Sequence, residues 1–189
     1  AVAIETWTLA ADLQIKPLDP APGAVSMADL FNAVNSIKRG SGSALEAHAW
    51  LIAEADTGFV FNCTVAAALC QPANAARFVD SIAAGLAVLR ARGLVIDLEP
   101  QNASEPACTA ALGVAYAQLL HRLSMRLQAQ GQQLSVYDEQ WQFHEIRSFF
   151  NYDLDGLAAG RVVVGVTYGG KGNFSGAAAF QKWRDKLTW

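Results

Sequence analysis

Apolar positions along the chain alternate between two repeat lengths from residue 59 onward. Gly58-Phe59-Val60-Phe61-Asn62 is short, aromatic and β-branched, the signature of a strand. Over residues 72–92, Phe78, Ile82, Leu86 and Leu89 recur about every 3.6 residues, which predicts a helix that Gly93 stops. Leu94-Val95-Ile96-Asp97-Leu98-Glu99 follows as an apolar strand closed by Pro100. Beyond a loop with Pro106, Leu112, Tyr116, Leu119, Leu123 and Leu127 line one face of a second long helix over 109–130, stopped by Gly131. A strand over 134–137, a short helix over 143–150 and a strand over 161–168 follow. A last helix carries Phe180, Trp183 and Leu187.

The N-terminal third is less regular. Residues 3–9 suit a strand, and Pro17, Pro20 and Pro22 mark a loop. Ser26 is placed to cap a helix that shares Met27, Leu30, Phe31, Val34 and Ile37 on one face. Residues 45–55 suit either a helix or a strand, with helix the leading reading. The whole is strand–helix–strand repetition, with crossovers long enough to make the strands parallel. The expected fold class is α/β, a parallel (β/α) barrel of TIM type. No low-complexity linker divides the chain, so 1–189 is read as one domain. A closed eight-stranded barrel takes roughly 250 residues, so this one is expected to be incomplete or abbreviated. Ala1 in place of an initiating Met, and Trp189 at the end of a helical pattern, suggest a processed or truncated chain.

Composition narrows the function classes. The chain is 52% hydrophobic and 16% charged, which can fill a core and excludes disorder. Its net charge of −3 lacks the basic stripe of a nucleic-acid binder. No apolar run reaches the roughly 18 residues of a membrane span. The three sequons, at Asn62, Asn102 and Asn173, exceed what chance makes of seven asparagines and point to a secreted glycoprotein. In an oxidising compartment two of Cys63, Cys70 and Cys108 would pair, in a combination the spacing leaves open. His48, His121 and His144 lack ligand-like spacing and read as surface or helix histidines, so neither metal nor cofactor is expected. Gly169-Gly170-Lys171-Gly172 lacks the spacing of a phosphate loop, and no nucleophile elbow is present.

Chemistry in parallel α/β folds collects at the carboxyl ends of the strands. Those ends here hold Asn62, then Asp97 and Glu99, then Asp138, Glu139 and Trp141, then Tyr168. Alternation puts Asp97 and Glu99 on one face. Two close carboxylates raise each other's proton affinity, so one can stay protonated as a general acid. Protonating a glycosidic oxygen needs such a group. A strand-end pair that caps a helix or meets Arg or Lys is the alternative. Only one of Asp138 and Glu139 can face a site; Asp138 is the candidate, with Trp141 as a sugar-stacking platform or a core residue.

Gly93-Leu94-Val95-Ile96-Asp97-Leu98-Glu99 resembles the fourth-strand motif of the glycoside hydrolase family 18 chitinases, which ends in D-x-E. Val166-Thr167-Tyr168 is similar to that family's sixth-strand M-x-Y segment. The resemblance spans about 59–189. It implies that Glu99 is the acid, that Asp97 positions the substrate's N-acetyl group as nucleophile, and that Tyr168 orients the same group. The sequence departs from the pattern where Arg92 and Val95 stand in place of two aspartates, and Gly169 in place of the Asp after the tyrosine. Family 25 lysozymes carry a D-x-E pair too, though their other strand motifs are missing here. The leading expectation is a secreted glycosidase acting on a β-linked glycan that contains N-acetylglucosamine. The alternatives are a non-catalytic secreted glycoprotein that binds carbohydrate or joins an extracellular assembly, and a cytosolic α/β enzyme of another kind.

Overall fold

The computed structural model describes residues 1–18, 25–38, 40, 42–53, 61–98, 106–139 and 161–165. For 137–139 and 161–165 the description is of strand path and pairing. Ten elements follow in order: β1 (Val2–Leu9), β2 (Ile15–Pro17), α1 (Met27–Ser36), β3 (Ala47–Ala53), α2 (Cys63–Leu69), α3 (Pro72–Leu89), β4 (Gly93–Asp97), α4 (Ala110–Gln128), β5 (Gln133–Glu139) and β6 (Arg161–Gly165). They build one sheet ordered β2-β1-β3-β4-β5-β6. From β1 to β6 every pairing is parallel; β2 turns back antiparallel along Trp7–Leu9. The parallel strands β1, β3, β4, β5 and β6 lie in chain order, with α1, α2, α3 and α4 in the connections from β1 to β5, which is the expected (β/α) barrel progression.

One sheet face packs on the helices. It carries Trp7 and Leu9, then Ala47, Ala49 and Leu51, then Leu94, Ile96 and Leu98, then Leu134 and Val136, in one cluster with Phe78, Ile82, Leu86, Leu119 and Leu123. The same alternation explains why residues 45–55 are not the helix that their alanines suggest. Ala47, Ala49 and Leu51 are fully buried under helices, while His48, Trp50 and Ile52 point to the opposite face. Period-2 burial between two parallel neighbours overrides alanine's intrinsic preference. His48 is accordingly a buried strand residue and not a surface or helix histidine.

Three helix termini deserve comparison with the sequence. Ser26 caps α1 as expected, its hydroxyl accepting from the Asp29 N–H at 3.2 Å, although Leu30 and Ile37 lie exposed. Thr109 caps α4 in the same way, accepting from Leu112 N–H at 3.2 Å. The helix α3 does not stop at Gly93. Arg90 takes the left-handed turn at φ 54°, the Ala91 N–H reaches the Leu86 carbonyl at 3.0 Å, and Gly93 opens β4. Gly93 is needed for another reason: a β-carbon there would stand 2.6 Å from the Gln133 carbonyl oxygen and 2.9 Å from the His48 ring.

Two side chains tie the ends of the sheet opposite to Asp97. Asn35 accepts from the Ala47 N–H at 2.9 Å and donates to the Arg90 carbonyl at 3.2 Å. Gln132 donates to the Ala91 carbonyl at 3.0 Å. The expected strand over 58–62 lies mostly outside the described residues, and Phe61 and Asn62 lead into α2 instead. The alanine-rich stretch between Cys63 and Cys70 is that helix. The elements expected at 143–150 and after residue 170 lie outside the described residues.

A candidate active site at the carboxyl end of the fourth strand

The sheet face turned away from the helices is polar for a buried surface. Thr6, Thr8, His48 and Ser135 on it are all buried, with Trp50 and Asp97 half-buried beside them. Parallel register sorts these side chains into rows across the strands. Nearest the amino ends lie His48, Gly93 and Gln133, and above them Trp50, Val95 and Ser135. Highest stand Thr8, Ile52 and Asp97, where Thr8 pairs with Ile52 and Ile52 with Asp97. Asp97 is thus the last strand residue of β4 and belongs to the row nearest the carboxyl ends, where a carboxylate meets substrate in this architecture.

The residue after Asp97 is held from behind. Leu98 sends its side chain into the helix-side core, 3% exposed. Its carbonyl oxygen accepts a hydrogen bond of 3.1 Å from the Tyr116 hydroxyl of α4. Tyr116 is itself buried at 1% exposure, with its ring 6.2 Å from that of Phe61 at an interplanar angle of 50°. Phe61 leads into α2, whose first residue, Cys63, forms a disulfide with Cys108 just before α4. The segments that follow β3 and β4 are therefore joined covalently beside the D-x-E strand.

Of the three cysteines named as disulfide candidates, Cys63 and Cys108 pair and Cys70 remains a thiol. Burial pushes the Cys70 thiol up to about 11, against the opposing influence of the Arg122 charge. Asn62 is the N-cap of α2, its Oδ1 accepting from the Val65 N–H at 2.9 Å. Asp138 and Glu139 are the last two positions of β5, opposite Val164 and Gly165 of β6. Glu99, Trp141, Tyr168, Asn102 and Asn173 lie outside the described residues. β6 lies two places from β4 in the sheet, with β5 between. Among the described residues no group of three or more His, Cys, Asp or Glu gathers as a metal site. No helix among them is long and apolar enough to cross a membrane.

Sequence reading missed the role of Tyr116, which it placed only on a buried helix face. A signal was present: a tyrosine in a stripe of leucines carries a hydroxyl that burial obliges to find a partner. The buried Thr6 and Thr8 are also legible afterwards, as the polar half of the alternation Thr6-Trp7-Thr8-Leu9 in β1.

No protein-family model and no curated protein sequence matches the chain. Solved structures do, chitinases among them. The chitinase of Chromobacterium violaceum superposes with a TM-score of 0.58 at 17% identity, over 84% of this chain and 45% of that one. Catalytic domain 2 of the Ostrinia furnacalis Group II chitinase, solved in complex with (NAG)5, gives 0.63 at 15% identity, over 86% and 40%. The class V chitinase of Nicotiana tobaccum gives 0.56 at 17%, over 86% and 43%. The chain spans less than half the length of each of these structures. The fold is that of part of a chitinase-type TIM barrel, as the D-x-E strand led us to expect.

Proposed function

We propose that the chain forms a barrel-type domain of a secreted glycosidase that hydrolyses a β-linked glycan containing N-acetylglucosamine. The observation that carries the reading is the place of Asp97: a half-buried carboxylate ending the central strand β4, on the polar face of a sheet with the chitinase fold. Glu99, two residues on, is the general acid. It gives its proton to the glycosidic oxygen as the bond from that oxygen to the anomeric carbon breaks. The substrate's own acetamido oxygen bonds to the anomeric carbon, with Asp97 and Tyr168 orienting that group. Water then attacks the same carbon, Glu99 takes its proton, and the acetamido group is restored. Asp138 and Trp141 are assigned to substrate binding, Trp141 by stacking on a sugar ring.

Secretion is supported by the Cys63–Cys108 disulfide, which an oxidising compartment sustains. The sequons at Asn62, Asn102 and Asn173 fit the same compartment. Replacing the acid should remove the chemical step alone. Glu99→Gln in the full-length protein is expected to lower kcat on chito-oligosaccharide by roughly 10²- to 10⁴-fold. Hydrolysis by that variant at the native rate would exclude the reading.

One observation favours a second reading, a non-catalytic carbohydrate-binding glycoprotein or a component of an extracellular assembly. The residue one row beneath Asp97 on the same face is Val95, 5% exposed, where the family pattern has an aspartate. Glycopeptide mass spectrometry separates the two. Full occupancy of Asn62 and Asn102 supports the binding protein; bare asparagines support the enzyme.

A further inference from the structure

We infer that Tyr116 is a positioning residue for the acid of the D-x-E pair. The inference rests on the reading of Glu99 as that acid. The Leu98 carbonyl that accepts from the Tyr116 hydroxyl at 3.1 Å belongs to the planar peptide unit whose nitrogen is that of Glu99. Fixing its oxygen restricts rotation of the whole unit, and with it the direction in which the next Cα sets out. The Leu98 side chain, 3% exposed, anchors the other side of the same residue in the helix-side core. Leu98 is thereby held at two points between the two carboxylates.

The donor is itself well fixed. Tyr116 is 1% exposed in the second turn of α4, among Leu112, Leu119 and Leu120. Its ring meets Phe61, which is fully buried. The Cys63–Cys108 disulfide joins the start of α2, next to Phe61, to the approach of α4. A phenol whose only duty was to fill space would be replaced without loss by phenylalanine. This one also donates its hydroxyl hydrogen bond to the backbone carbonyl between Asp97 and Glu99 in the sequence, where a small error in direction costs rate.

The test is Tyr116→Phe, which keeps the ring and removes the hydroxyl. A displaced acid matters most when the departing sugar needs a proton, and little when the leaving group is already a good one. Tyr116→Phe is therefore expected to lower kcat on unmodified chito-oligosaccharide about tenfold, with KM within about twofold, the size of one lost hydrogen bond. On a nitrophenyl chito-oligosaccharide the loss should be under about threefold, since a nitrophenolate leaves without full protonation. Ile82→Val, a core change on α3, controls for lowered stability and should leave both rates at the native level. Equal losses on the two substrates, or none, overturn the inference while Glu99→Gln remains inactive. If Glu99→Gln is as active as the native protein, the acid has been misassigned and both readings fall.

Discussion

Trp7 of β1 and Gly85 of α3 touch so closely that no β-carbon fits between them. A Cβ at Gly85 would lie 2.7 Å from Cζ2 of the indole. The helix thus gives up the roughly 1 kcal/mol of propensity that alanine would supply, and the sheet gains a flat seat for its largest side chain. Gly85→Ala should destabilise the fold by about 1–2 kcal/mol, because overpacking outweighs propensity. In a Trp7→Leu background the same change should stabilise. Urea unfolding of the four proteins of this cycle measures the reversal in sign.

Arg90 ends α3 at a positive φ of 54°, a conformation better suited to glycine. Its backbone carries the terminal bonds to the Ala87 and Leu86 turn, and its carbonyl accepts from Asn35. None of these needs the guanidinium. Arg90→Gly is expected to raise stability by about 0.5–1 kcal/mol. A higher midpoint in denaturant at unchanged slope would show it.

The Cys63–Cys108 bridge closes a sequence separation of 45. On the chain-entropy account, replacing both cysteines with alanine should cost about 2–4 kcal/mol. Thermal unfolding with and without a thiol reductant gives an independent measure. The reduced native protein and the double variant should coincide.

Cys70 supplies a dependence on pH with a definite sign. Its thiol rises from an ordinary 9.0 to about 11 because burial disfavours the thiolate. The neutral thiol is the form the native state prefers. The stability it contributes is therefore complete below pH 9 and lost as pH climbs toward 11. Alkylation of native Cys70 by iodoacetamide should still be accelerating between pH 9 and 11, while the unfolded chain reacts with a midpoint near 9. A native midpoint near 9 would refute this.

Much of the architecture is legible in the residues, for identifiable reasons. The runs that became β4 and β6 are apolar almost throughout, as strands covered on both faces must be, while β5 shows itself by the alternation of Leu134 and Val136 with polar neighbours. The helices α3 and α4 show plain 3.6-residue stripes. The strand β3 hides because its inward positions, Ala47 and Ala49, are small enough to sit under helices yet favour helix intrinsically. The hairpin strand β2 hides because it is three residues long and includes Pro17. At the site, Asp97 could be placed from period-2 alternation alone. The Tyr116 hydroxyl could not, since its partner is a backbone atom of another element and carries no signature in the sequence. The cysteine pairing was equally out of reach: Cys63 and Cys70 are close along the chain, but α2 separates them by two helical turns.

The strands beneath the disulfide share its spacing. His48 of β3 pairs with Gly93 of β4, 45 positions apart, and Cys63 joins Cys108 across the same interval. The bridge links equivalent points of two successive strand–helix units. An oxidised chain keeps the segments that follow β3 and β4 close together even when unfolded. Parallel pairing between distant segments is ordinarily slow, because a long loop must close before any contact rewards it. In the oxidised chain, unfolded with its bridge intact, that loop is already closed, so the strand that ends in Asp97 has less entropy to lose when it pairs with β3 again.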